Sequence, residues 1–172
     1  MRHLLAASIV ALAVAPAEGQ DTALEYQVKA AYLYNFVKFV EWPPGAVAGT
    51  LTICTAGRNP FGVALDEIVR GESIDGHAIA ARQVATPQAG CNVLFVPGDV
   101  PAAEYLRAAR DAPVLTVGES ATFIAQGGII SFVRDAGMVR FEIDQDAATR
   151  AGLQISSRLL RLARTPTRRG AR

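Results

Sequence analysis

From position 24 to 41 apolar side chains recur at steps of three and four, at Leu24, Val28, Ala31, Tyr32, Phe36, Phe39 and Val40. That period predicts an amphipathic helix over 24–41, ended by Trp42-Pro43-Pro44 because a residue before proline is driven out of the helical region. Behind it the pattern changes to short, unbroken apolar runs. Residues 51–55, 78–84, 93–96, 114–117 and 129–133 read as strands, and Asp135-Ala136-Gly137 as a tight turn into a further strand, 139–143. Between them lie helical segments. Asn59-Pro60 supplies an N-cap and a first-turn proline for a helix to about Val69, a second covers 102–110, and Ser120 caps a short one that stops at Gly127-Gly128. Two closing helices, 144–151 and 156–164, are separated by Gly152. Continuous apolar strands alternating with helices imply a mainly parallel sheet covered on both faces. The expected fold is a single three-layer α/β domain whose C-terminal hairpin adds an antiparallel edge.

The N-terminus follows a different pattern. Met1-Arg2-His3 is a short basic start, and residues 4–15 are apolar apart from Ser8. Twelve residues are too few to span a bilayer as a helix, which takes about 20. Ala15-Pro16-Ala17 fits a signal-peptidase site, so residues 1–17 are expected to direct export and to be removed after Ala17; the alternatives are a retained anchor or a buried first helix. The expected domain then runs over 18–164, outside the cytoplasm, with a basic disordered tail at 165–172.

At 172 residues the chain allows one domain and hardly two. Hydrophobic residues at 51% and charged residues at 19% exclude a disordered chain. The overall charge of +1 hides an asymmetry: residues 18–157 carry −6, whereas residues 158–172 hold six arginines and no acid. An acidic body outside the cytoplasm argues against nucleic acid as partner. The cationic end suits anionic lipid headgroups or an acidic partner, or is a solvated helix end complementing the helix dipole.

Candidate chemistry is sparse. Two cysteines and His77 offer no zinc spacing, and no G-x-S-x-G elbow occurs. Gly57-Arg58-Asn59-Pro60-Phe61-Gly62 lacks the Lys-Ser/Thr of a phosphate loop and reads as a turn with a helix cap. Glu142, Asp144 and Asp146 share one face while the chain stays extended. They suit calcium or acid/base work, or else Asp144 or Asp146 caps a helix and Glu142 pairs with Arg140 or Arg158. No catalytic residue, metal or cofactor is assigned. The aromatic residues of the first helix belong to a core or to a protein-facing surface. Cys54 and Cys91 are either a disulfide across 37 residues or two buried thiols. Their places late and early in neighbouring parallel strands count against the bridge.

The segment Lys29-Ala30-Ala31-Tyr32-Leu33-Tyr34-Asn35-Phe36-Val37-Lys38-Phe39-Val40-Glu41-Trp42-Pro43 resembles the opening signature of YfiR-like periplasmic proteins. Leu51-Thr52-Ile53-Cys54, Cys91-Asn92-Val93-Leu94-Phe95, Gly127-Gly128-Ile129-Ile130-Ser131-Phe132, Val139-Arg140-Phe141-Glu142-Ile143 and Gly152-Leu153-Gln154-Ile155-Ser156-Ser157-Arg158 follow in the family's order. The resemblance implies a non-enzymatic repressor of an inner-membrane diguanylate cyclase, controlling cyclic di-GMP and biofilm formation. It also implies release by an outer-membrane-associated partner, a homodimer, and a Cys54–Cys91 pair linked to redox response. The second cysteine pair of the family's namesake is missing here. Polar positions inside these apolar signatures, Asn35, Lys38, Glu142, Ser156 and Ser157, are the expected partner-binding or ligand-binding residues, or form an internal network that fixes the last helix. The second function class is a periplasmic small-ligand sensor or carrier subunit working with an outer-membrane receptor or a histidine kinase.

Overall fold

A computed structural model of the chain describes residues 18–87 and 90–164. The expected signal peptide and the expected basic tail lie outside the described residues. In chain order the elements are α1 (Glu18–Lys38), β1 (Val40–Glu41), β2 (Leu51–Ala56), α2 (Ala64–Val69), β3 (Ser73–Ile74), β4 (His77–Val84) and β5 (Val93–Val96). These are followed by α3 (Ala102–Ala109), β6 (Leu115–Gly118), β7 (Ile130–Asp135), β8 (Met138–Ile143), α4 (Gln145–Arg150), β9 (Gln154–Ile155) and α5 (Ser157–Leu162).

Seven strands form one sheet in the order β3-β4-β2-β5-β6-β7-β8. The five inner strands are parallel, with Ile53 opposite Val93 and Phe95 opposite Val117; β3 and β8 add antiparallel edges. All four residues of β5 are buried, as in a strand covered on both faces. The mixed α/β fold is therefore the one the apolar pattern predicts. On one face Phe36, Leu33 and Val37 of α1 join Leu65, Phe95, Phe132, Phe141 and Leu159; on the other, α3 packs over Cys54, Cys91, Leu94 and Val96. Of the aromatic residues of α1, Phe36 is core, and Tyr26, Tyr32 and Tyr34 are half-buried and pack against it. Phe36 stands 5.0 Å from Phe141 and 5.8 Å from Phe132, and Tyr32 is 5.4 Å from Phe141.

Four departures from the pattern have identifiable reasons. The first helix ends at Lys38 rather than at 41, because Val40 and Glu41 pair with Ile155 and Gln154 in a separate two-stranded sheet. The second begins at Ala64 rather than at Asn59. There, Asn59 Oδ1 accepts the Phe61 N–H and its Nδ2 donates to the Gly62 carbonyl, while Gly62 is left-handed at φ +57°. β3 was not predicted: Asp75-Gly76, at φ +52° and +81°, turns Ser73–Ile74 back along β4. The helix expected from Ser120 is a series of turns, and Ser120 Oγ has no partner among the described residues. Phe123 sets that path.

The Phe123 ring is wedged between two glycines. A Cβ at Gly118 would lie 2.3 Å from Phe123 Cδ2, and one at Gly128 would lie 2.2 Å from Cδ1 and 2.9 Å from the Phe123 carbonyl oxygen. Gly128 is thus a place of close approach as well as part of a chain stop. Gly128→Ala is expected to cost about 1–3 kcal/mol by overpacking, measured by urea unfolding; a loss below about 0.5 kcal/mol would mean that the ring has room to move.

Both closing helices start at the residues the pattern marks. Asp144 Oδ1 accepts the Ala147 N–H at 2.8 Å, and Ser156 Oγ accepts the Leu159 N–H at 3.2 Å. Cys54 and Cys91 are joined by a disulfide, with Cα atoms 5.7 Å apart. The offset that counts against the bridge is real, since Cys54 lies opposite Leu94. Cys91 stands two residues before β5 begins, however, so strand spacing does not fix its distance.

Candidate functional site

The crossover from β2 to β4 and then to β5 reverses the direction in which strands are added. Open α/β sheets bind ligands beyond the carboxyl ends of their strands near such a reversal. Between β2 and β5 the chain is closely approached: a Cβ at Gly57 would lie 2.8 Å from Val100 Cγ2. The opening lies one strand further on. A cleft of about 500 Å³ sits at the ends of β5, β6 and β7 under the N-terminal half of α1, bounded by Tyr26, Lys29, Gly98, Glu119, Phe132 and Arg134.

Lys29 is the centre of this cleft, and at 5% exposure it is a buried cation. Such a charge needs partners. Glu25, one helical turn earlier, places Oε1 2.6 Å from Lys29 Nζ, and Glu119, directly after β6, pairs with the same ammonium. Glu119 also accepts from Tyr26 Oη and from the Gly98 N–H, both at 2.8 Å. Lys29 Nζ lies 4.6 Å from the centre of the Tyr26 ring and 5.9 Å from that of Phe132. Arg134, with its side chain 67% exposed, reaches the other Glu25 oxygen at 3.3 Å. Two carboxylates thus balance two cations. The arrangement binds α1 to the loops that follow β5 and β6, and leaves Arg134 and the mouth of the cleft open to water.

Burial, reinforced by the hydrogen bond to Glu119, pushes the Tyr26 hydroxyl above the ordinary tyrosine range. The folded state therefore holds this proton more tightly than the unfolded chain does. Its contribution is complete below about pH 10, the unfolded value, and is lost as pH rises further. Thermal unfolding between pH 9 and 11 should show a steeper fall for the wild type than for Tyr26→Phe. Equal slopes would remove Tyr26 as a linked group.

The residues expected from sequence do not converge on this cleft. Asn35 is exposed and donates to the Ala31 carbonyl at 2.9 Å within its own helix, and the Lys38 ammonium sits 3.9 Å above the Tyr34 ring. Tyr34 itself donates to Glu72. Ser156 is the cap of α5, and its N–H donates to the Phe39 carbonyl at 2.9 Å; Ser157 Oγ accepts from Arg161 at 3.4 Å. The last turn of α1 and the first of α5 therefore adjoin, bringing Lys38, Ser156 and Ser157 to one region. Glu142 lies elsewhere, on β8 opposite Ser131 and bridged to the Arg164 backbone. The ion pair expected for Glu142 is not formed, because Arg140 turns to Met138 Sδ and Arg158 to the Phe39 ring. Asp144 serves as a cap, and among the described residues no three His, Cys, Asp or Glu side chains are placed to hold a metal.

Sequence reasoning missed Glu25, Tyr26, Lys29 and Glu119. Glu25 and Lys29 at i,i+4 are a readable pair, but Glu119 lies 90 positions beyond Lys29 and reaches them only once the chain has folded. Among the described residues no helix is long and apolar enough to cross a membrane. No curated protein matches the chain. Residues 26–164 match the YfiR/HmsC-like family, a span that takes in Tyr26, Lys29 and Glu119 of the cleft, the disulfide and both closing helices. The chain belongs to the YfiR/HmsC-like family.

Proposed function

We propose that this protein is a periplasmic regulator that binds and represses an inner-membrane diguanylate cyclase, and so lowers cyclic di-GMP and restrains biofilm formation. The observation that carries the reading is the family match over 26–164. The Cys54–Cys91 disulfide supports it, because disulfides persist in oxidising compartments. In this reading residues 1–17 are removed after Ala17 and the protein works as a homodimer, with an outer-membrane-associated partner releasing the cyclase. Repression requires tighter binding to the inactive cyclase than to the active one, since only differential affinity shifts a conformational equilibrium. Asn35, Lys38, Ser156, Ser157 and Glu142 are the proposed contact residues. The exposed members Asn35, Lys38 and Ser157 are the first to substitute, Lys38 and Ser157 lying where α1 meets α5. Affinity capture from detergent-solubilised inner membranes, with the exported protein as bait, should recover a diguanylate cyclase with a periplasmic segment. Recovery of small solutes or of a transport receptor alone would replace this reading with that of a carrier.

A further inference from the structure

β7 and β8 supply one wall of the cleft beneath α1. Side chains two apart on a strand share a face, and residues paired across an antiparallel ladder share it too. Arg134 therefore stands on the same face as Phe132 of β7 and as Val139, its partner on β8. Phe132 is buried and Val139 half-buried, so the guanidinium is set on an apolar wall, to which Ala121 adds. The charges in the cleft are not equally engaged. Glu119 accepts from Lys29, from Tyr26 Oη and from the Gly98 N–H, and Lys29 is held between two carboxylates. Glu25 gives one oxygen to Lys29 and the other to Arg134. Arg134 differs from these, because its side chain is 67% exposed and its contact with Glu25, at 3.3 Å, is a solvated ion pair of the kind that contributes little. That contact takes Nη1 alone, whereas a guanidinium carries its donors in a planar fork. A cationic fork beside an apolar wall thus opens at the carboxyl ends of three parallel strands.

We infer that the cleft is a binding site for a small organic monocarboxylate, whose carboxylate takes paired hydrogen bonds from Arg134 while its apolar body lies against Phe132 and Val139. The volume of about 500 Å³ is that of a small-molecule site, in which apolar walls supply contact and a few polar groups fix orientation. Because the Arg134–Glu25 pair is exposed, giving up part of it to a ligand costs little. The carboxylates already present limit the charge of the ligand. One carboxylate is matched by one guanidinium, whereas a doubly charged phosphate would also be repelled by Glu25 and Glu119. The site is complete within this chain, so the inference does not rest on the proposed cyclase.

The test is an NMR chemical-shift titration of the purified protein with hexanoate as the probe. Hexanoate should bind saturably, with the largest shifts around Arg134 and Val139. It should bind about tenfold or more tightly than hexanamide, which lacks the charge, and than acetate, which lacks the chain. Arg134→Gln should weaken hexanoate binding by about tenfold and leave hexanamide unchanged. Arg134→Lys keeps the charge without the fork and should recover only part of the affinity. Since Arg134 is exposed, both variants should unfold at the wild-type midpoint, so that the loss is one of recognition. Absence of saturable hexanoate binding, equal affinity for hexanamide, or full binding by Arg134→Gln would overturn the proposal. So would inorganic phosphate competing as well as hexanoate does, a result that makes Arg134 an unselective anion contact.

Discussion

Replacing both cysteines, Cys54→Ala with Cys91→Ala, is expected to lower the unfolding free energy by about 4 kcal/mol, because a bridge across about 37 residues removes that much loop-closure entropy from the unfolded chain. For a domain of this size the melting temperature should fall by roughly 8–16 °C. The sulfurs belong to the cluster beneath α3, with Cys54 fully buried and Cys91 8% exposed. Alanine therefore keeps the apolar character of the site while cutting the link between β2 and the approach to β5. A thiol reductant should reproduce the loss in the wild type and leave the double variant unchanged. A fall of less than about 1 kcal/mol would show that the unfolded chain is already compact across this loop.

Lys29→Met should cost about 3–5 kcal/mol, the effect of leaving buried charges without a counter-ion. The substitution nearly preserves volume, so packing contributes little, but Glu25 and Glu119, with side chains 16% and 11% exposed, lose the ammonium they share. Neutralising the carboxylates in the same chain, Lys29→Met with Glu25→Gln and Glu119→Gln, should recover most of the loss. Urea unfolding of the single and triple variants checks both statements. A single variant within about 1 kcal/mol of the wild type would mean that water solvates the cluster well enough to do without Lys29.

The sheet was largely legible because its inner strands are continuous apolar runs. Residues 93–96 are predicted and observed with the same bounds, and their burial on both faces fits a parallel inner strand. The caps of the closing helices were legible for a local reason, since Asp144 and Ser156 each bond a backbone N–H three residues on. Failures came where a distant partner decides the local structure. Val40 leaves the helical pattern because Ile155 offers a strand partner, and Phe123 bends residues 121–127 into turns through Gly118 and Gly128. The cleft failed in the same way: Lys29 stood inside the family signature, but nothing in the sequence says that Glu119 will meet it. Asn35, Lys38 and Ser157 are polar among apolar neighbours because they face solvent, and Ser156 because it caps a helix.

The proposed role, holding a membrane diguanylate cyclase inactive, is checked by cellular cyclic di-GMP measured in a strain lacking the gene and again after complementation. Cyclic di-GMP should rise on deletion, return with the wild-type chain, and return less fully with a chain carrying Lys38→Glu and Ser157→Glu at the junction of α1 and α5. Cyclic di-GMP unchanged by deletion would contradict it.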